Sequence, residues 1–403
     1  MKIRFLVFDV YGMGGTVRTV LNVTNYLAQT GYDVEIISLF RYRKAPFFEI
    51  DPRIKVTILH DIAGRSKNDT SLKTKVANRL SRVKSQMIHP EDEAIHLFSI
   101  LSDLKLYNYI KTINSGILVT TRPSFNIFAA KHANKGVSII GQEHLNFSIY
   151  PEKMKKSILE YYKKLDYLAT LTDEDTEDYK QLLQGGKVKV KKITNSIPKL
   201  QGLVSSLESK TVIAAGRLVP QKGFDLLIEA FQMVNQHFPD WKLKIFGSGR
   251  EKDNLQELIE KHKLYNHVIL MGPTQHIDLE LSKSSIYALS SRFEGFGMVI
   301  VEAMQCGVPV VSFDCPKGPS EIIAQHEDGI LVEDGNVQAF AHSLMELMGD
   351  EEKRKTFAEN ALHNVSRYEI QNIGKIWEET IDEITQSMNK QVVENPAELL
   401  RRV

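Results

Sequence analysis

Cysteine is nearly missing from this chain: 403 residues carry two, Cys306 and Cys315. Two thiols cannot build a disulfide framework and their spacing is not that of metal ligands, so reduced thiols in a cytoplasmic protein are expected. Surplus charge is missing as well. Lysine and arginine total 51 against 50 aspartates and glutamates, which gives no reason to expect nucleic acid as a partner, although a balanced total can conceal a local patch. No run reaches the ~18 apolar residues of a membrane span, so any membrane contact should be peripheral. The opening run MKIRFLVFDVYG carries Arg4 and Asp9 and closes on Gly12, which reads as a first buried strand rather than a signal peptide. No cluster with metal-ligand spacing is evident, and no metal or other cofactor is expected.

What is present is a long, ordinary globular composition, 42% hydrophobic and 25% charged, enough for two cores. An apolar run over Ile3 to Val10 leads into Gly12-Met13-Gly14-Gly15, and Val17, Val20, Leu21, Thr24 and Leu27 then recur at helical spacing. That is strand, tight turn, helix. Further strands are expected at Val34 to Leu39, Lys55 to Leu59, Gly116 to Thr120, Val137 to Ile140 and Tyr167 to Leu171. A second series repeats the pattern from Lys210 through TVIAAGR, WKLKIFG, HVILMG, IYALSS and VPVVSF. Strands alternating with helices indicate parallel sheets covered on both faces, an α/β architecture. The stretch from Ile193 to Ser209 has little periodicity and reads as a linker. Three segments follow: a Rossmann-like domain over 1–200, a second over 201–371, and polar amphipathic helices with a charged tail over 372–403, with a return to the first domain as one expectation for them.

Several loops carry candidate chemistry. The Gly12 to Gly15 turn lies between a strand and a helix, where backbone can approach a phosphate at a helix N-terminus, but it is not a G-x-G-x-x-G fingerprint. Asp33 and Glu35 near the second strand suit a nucleotide ligand or ordinary surface charge equally well. In GRLVPQKG, Arg217 and Lys222 sit between a buried strand and a helix starting around Phe224, a pair of cations suited to a diphosphate. In EGFGMVIVE, Glu294 and Glu302 flank a Gly-Phe-Gly turn. The amides of Gly297, Met298 and Val299 would open the helix that contains Glu302, giving an anion site followed by a carboxylate for ribose hydroxyls.

The motifs GRLVPQKG (216–223), FGSG (246–249) and EGFGMVIVE (294–302), with GMGGTVR, EHLNF and TNSIP in the first half, closely resemble glycosyltransferase family four, retaining enzymes of the GT-B fold. The resemblance implies two Rossmann-like domains facing across an interdomain cleft and a UDP-sugar donor used without a metal. It implies that Arg217 and Lys222 hold the donor diphosphate, Glu302 the ribose and Glu294 the transferred sugar, with Gly247, Gly295, Phe296, Gly297, Met298 and Val299 lining the donor site. Gly14 and Gly15 would lie against donor phosphates or acceptor, with Arg18 nearby on the acceptor. His144 resembles the family histidine that contacts the sugar, whereas Asn195 would be structural. SFDCPKGPSEII (312–323) resembles a subgroup acting on capsular polysaccharide and teichoic acid, so the implied acceptor is a glycan or anionic polymer of the cell envelope.

One region stands apart from these motifs. Leu72, Val76, Leu80, Val83 and Met87 recur at helical spacing, interleaved with Lys73, Lys75, Arg79, Arg82 and Lys84, and no acid occurs between residues 70 and 90. A basic amphipathic helix over this stretch suits an anionic acceptor, an anionic membrane on the inner face of the cell, or a plain surface helix. Two other readings of the whole chain stay open: a non-hydrolysing sugar-nucleotide epimerase, for which no extra acid and base can be assigned, and a catalytically silent nucleotide-sugar-binding protein.

Overall fold

A computed structural model of the full chain describes residues 1–64, 71–198 and 203–394. The chain divides into two compact units, Met1–Ser196 with Ile370–Val403, and Ile197–Glu369. The charged tail and the middle of the expected linker lie outside the described residues.

The first unit runs β1 (Lys2–Val7), α1 (Gly15–Gln29), β2 (Asp33–Arg41), β3 (Lys55–Asp61), α2 (Leu72–Leu80), α3 (Ile100–Lys111) and β4 (Gly116–Thr120). It continues through α4 (Pro123–His132), β5 (Val137–Gln142), α5 (Glu152–Tyr161), β6 (Tyr167–Thr170), α6 (Asp173–Leu182) and β7 (Lys189–Lys192). The strands form one parallel sheet in the order β3-β2-β1-β4-β5-β6-β7. Alternation along each strand serves two cores. Leu6, Ile37 and Leu118 join one with α3 and α4; Phe5, Val7, Ile36 and Val119 join the other with α1.

The second unit holds β8 (Thr211–Ala215), α7 (Phe224–His237), β9 (Lys242–Phe246), α8 (Lys252–Lys261), β10 (Val268–Gly272), α9 (Ile277–Leu281) and β11 (Ile286–Leu289). It then adds α10 (Met298–Gln305), β12 (Val310–Phe313), α11 (Pro319–Ile322), β13 (Gly329–Val332), α12 (Val337–Gly349) and α13 (Glu351–Asn364). Its parallel sheet is ordered β10-β9-β8-β11-β12-β13. Short strands such as TVIAA, buried at its first four positions, are covered on both faces, as central strands of covered parallel sheets must be.

Among the described residues, the chain from Ile370 onward is a single helix, α14 (Ile370–Glu394), and it belongs to the first unit. Ile370, Ile373, Trp377, Ile381 and Ile384, spaced three and four apart, bury one stripe beside α1, with the Trp377 ring 5.9 Å from Phe5. The expected linker is partly docked structure: the Ser205 hydroxyl donates to the Ser284 carbonyl at 2.6 Å and Leu207 is buried.

The expected basic helix to Met87 is a correction. Helix α2 stops at Leu80 with Ser81 as its C-cap, and Lys84 instead pairs with Ser99 in an isolated antiparallel bridge. The cause is Asp103 on α3, whose carboxylate accepts from the backbone of Gln86 at 2.7 Å and Met87 at 3.1 Å and from the Ser85 hydroxyl. A buried carboxylate satisfied by extended backbone outweighs local helical periodicity. Glu35 is a second correction. It is neither surface charge nor ligand site but a buried acid bound by Thr57, Tyr109, Arg4 and Lys55.

Candidate functional site

Open parallel sheets take ligands at the carboxyl ends of the two strands where the strand order reverses. In the second unit those strands are β8 and β11, and the loops that follow them carry Arg217 with Lys222 and Glu294 with Glu302. The two loops are stitched together. The Gln221 side chain donates to the Phe293 carbonyl at 3.0 Å, the Arg292 amide donates to the Gln221 carbonyl at 2.8 Å, and the Ser290 hydroxyl donates to the Lys222 carbonyl at 3.0 Å. Arg292 also forks onto Asp225 at 2.7 and 2.9 Å, clamping the second loop to the first turn of α7. Gly223 makes this close approach possible: its φ is +59°, and a Cβ there would stand 2.0 Å from the Ser290 carbonyl oxygen. Gly247, φ +150°, presses in the same way on Gly216, where a Cβ would come within 1.8 Å of the carbonyl oxygen.

Lys222 Nζ lies 2.6 Å from Glu294 Oε1, which also accepts from the Ser291 hydroxyl at 2.6 Å. Both side chains are largely buried, so the lysine is positioned by a carboxylate rather than waving in solvent. The two residues, assigned separate partners by resemblance, therefore form one cationic-anionic unit. Arg217 is exposed beside it and forms no salt bridge among the described residues. Gly297, in the left-handed region, caps α10, and the first-turn amides of Met298 and Val299 have no intrahelical acceptor by construction. Glu302 is buried one turn in. Gly295 is half-buried in the turn, but the Phe296 ring is spent on packing against Tyr368, 5.5 Å away, leaving only its backbone for a ligand. Cys315, near Glu294, is buried with its thiol pushed up to about 12 by burial, as is Cys306, so neither is a nucleophile at neutral pH.

In the first unit the reversal lies between β1 and β4. The loop after β1 is anchored by Asp9, whose carboxylate accepts from the Tyr11 amide at 2.9 Å and the Tyr42 amide at 3.2 Å, with burial raising its pKa. Gly14 and Gly15 are exposed and a Cβ on either would meet nothing, and Gly14 is extended at φ 163°. Packing inside the unit thus gives no reason for glycine at 14 and 15. Arg18 follows one turn into α1.

His144 follows β5. It is half-buried as a residue, yet its Nε2 is shut off from solvent without a partner. Desolvation lowers its pKa to about 4, so the imidazole is neutral near pH 7. Its neighbour Glu143 went unsingled in the sequence beyond the string EHLNF. The Glu143 carboxyl accepts from Tyr150 at 2.6 Å, from Asn126 at 3.2 Å and from Tyr162. Burial raises its pKa to about 7, against the lowering effect of these hydrogen bonds. Two aromatic hydroxyls and an amide from distant elements fix the backbone immediately before His144; an apolar strand ending in a charged residue was the signal for it. Asn195 is buried at the end of the first unit.

Lys75 and Arg79 lie on α2, Arg82 and Lys84 on the turn and bridge after it, and the side chain of Lys73 lies outside the described residues.

Residues 196–364 match the family model described as Glycosyl transferases group 1. The chain is 34% identical to an exopolysaccharide phosphotransferase of Streptomyces coelicolor over 95% of this chain, and it spans 41% of that protein's length. It is 30% identical to the poly(glycerol-phosphate) alpha-glucosyltransferase of Bacillus subtilis over 64% of this chain and 40% of that protein. A solved Staphylococcus aureus TarM variant, in complex with fondaparinux, alpha-GlcNAc-glycerol and UDP, superposes with a TM-score of 0.77 at 19% identity, covering 94% of this chain and 99% of that one. Two Rossmann-like α/β units of this kind are the GT-B fold.

Proposed function

We propose that the protein is a retaining glycosyltransferase that moves a hexosyl or N-acetylhexosaminyl group from a UDP-sugar to a cell-envelope glycan or teichoic-acid-type acceptor. The observation that carries this reading is the Lys222–Glu294 pair, held at the reversal point of the second sheet beside Arg217 and the first turn of α10. The group 1 glycosyl transferase match over the same residues supports it, as does a relative named for a glycerol-phosphate polymer.

In this mechanism the sugar C1–O bond to the diphosphate breaks while the acceptor oxygen bonds C1 from the same face, and the hydroxyl proton passes to a phosphate oxygen. Charge grows on the leaving diphosphate, where Arg217, Lys222 and the α10 amides lower the barrier; preorganised donors of this kind contribute on the order of 3 kcal/mol each. Glu302 receives the ribose hydroxyls and Glu294, relayed through Lys222, orients the sugar. Neutral His144 offers a ring nitrogen to a sugar hydroxyl. Because protein cations neutralise the diphosphate, no metal is required.

Thermal shift across UDP- and GDP-sugars tests the donor, since a ligand bound only by the folded state raises the melting temperature by mass action. UDP-sugars should raise it and transfer should persist in excess EDTA. A shift with GDP-sugars alone, or complete loss in EDTA restored by magnesium, overturns the donor and metal assignments respectively.

A further inference from the structure

The balanced total charge conceals a division. The unit formed by residues 1–196 and 370–403 carries 34 lysines and arginines against 26 acids, and the unit 197–369 carries 17 against 24. The first unit is therefore net positive by eight and the second net negative by seven. Within the first, the stretch without acids between 70 and 90 is also where large apolar side chains face water. Val76 on α2 is 52% exposed and Val83 43%, and Leu97 and Leu104, on the far side of the Lys84–Ser99 bridge, are 41% and 42% exposed. The bridge and the hydrogen bond from the Ile100 amide to the Val83 carbonyl, 3.0 Å, tie these segments together. Lys75, Arg79, Arg82 and Lys84 form no salt bridge among the described residues. Of the four acids in this segment three are engaged: Asp103 holds Ser85, Gln86 and Met87, Asp92 pairs with Arg122 at 2.6 Å, and Glu91 accepts from the Met154 amide at 2.8 Å; Glu93 is exposed and leaves the basic residues in excess.

We propose that this segment, from α2 through the start of α3, docks the protein on an anionic lipid bilayer. Cations alone would serve a soluble polyanion equally well, but exposed valines and leucines gain nothing from a polyanion and do gain from the acyl boundary beneath charged headgroups. Their coincidence with unpaired arginine and lysine favours the bilayer. The inference holds whichever sugar or acceptor the enzyme uses.

The full chain supplies its own reporter. Its two tryptophans, Trp241 and Trp377, are 3% and 1% exposed, so Val76→Trp and Val83→Trp each add a lone accessible indole. With vesicles of phosphatidylcholine and phosphatidylglycerol at seven to three, the protein should co-sediment, the new indole's emission should shift to the blue, and brominated acyl chains should quench it. Pure phosphatidylcholine should do none of this. Replacing Arg79, Arg82 and Lys84 by glutamine should lower partitioning roughly a hundredfold at low salt, and Val76→Ser with Val83→Ser should lower it severalfold. Equal partitioning to both vesicle types, or anionic-vesicle binding with unshifted emission, indifference to the valine change and full competition by soluble polyphosphate, overturns the proposal; the latter result makes this a polymer-binding surface.

Discussion

At the scale of single residues, the ion pair changes what a lysine substitution means. Lys222→Ala leaves Glu294 buried with Ser291 as its neutral partner, and removing one member of a largely buried pair costs roughly 1–3 kcal/mol after allowing for the lysine's partial exposure. The double variant Lys222→Ala/Glu294→Gln should recover most of that stability in urea unfolding. It should not recover UDP affinity, which falls tenfold or more in both, because a charge-assisted phosphate contact of roughly 1.5–3 kcal/mol is gone. Recovery of UDP affinity in the double variant would mean that the lysine acts only through folding. The sequence made Lys222 and Glu294 legible as site residues through their glycine-rich loops. It did not make their contact legible, since 72 residues separate them and no local pattern encodes the meeting of two strand-end loops.

Glu143 and His144 give a second residue-scale expectation, with opposite signs. The folded His144 has its pKa lowered to about 4 from 6.5, so the unfolded chain binds more protons between those values and this residue's stabilisation is lost as pH falls toward 4. The folded Glu143 has its pKa raised to about 7 from 4.5, so its stabilisation is lost as pH rises through 7. From pH 4.5 to 6.5 the two slopes oppose. Glu143→Gln should expose a stability that rises with pH in that window, and His144→Gln one that falls, each by on the order of 1–3 kcal/mol. Melting curves of the two variants that change in the same direction would show that the pair is not titrating as the burial of these groups requires.

At the scale of elements, the α/β alternation was legible because short apolar strands and amphipathic helices differ in period. All six strands expected before residue 172 begin within one residue of where β1 to β6 begin. What local periodicity could not supply was competition from afar. The apolar spacing from Leu72 to Met87 resembles one helix, and Asp103 ends it early. The amphipathic stripe of α14 was visible, but nothing in its composition named the first unit as its seat. Trp377→Ala should lower the urea-unfolding stability of that unit by roughly 3–5 kcal/mol, as removal of a fully buried large aromatic does. A loss below 1 kcal/mol would mean that α14 covers the sheet without completing its core.

At the scale of the whole molecule, two sheets of the same kind carry opposite charge and different loops. The acidic unit has the cation-bearing loops and the group 1 glycosyl transferase match; the basic unit has the bare glycine loop, neutral His144 and the exposed basic segment. Under the proposed function, this division would serve recognition of a small anionic donor by a few placed residues and of a larger anionic partner by a broad field. The most direct measurement of the central claim is the proton NMR spectrum of the product formed from α-linked UDP-sugars and a poly(glycerol-phosphate) or glycan acceptor. The account predicts UDP release together with a new anomeric signal of α configuration on the acceptor; a β-linked product, or an epimerised sugar nucleotide with the acceptor untouched, would contradict it.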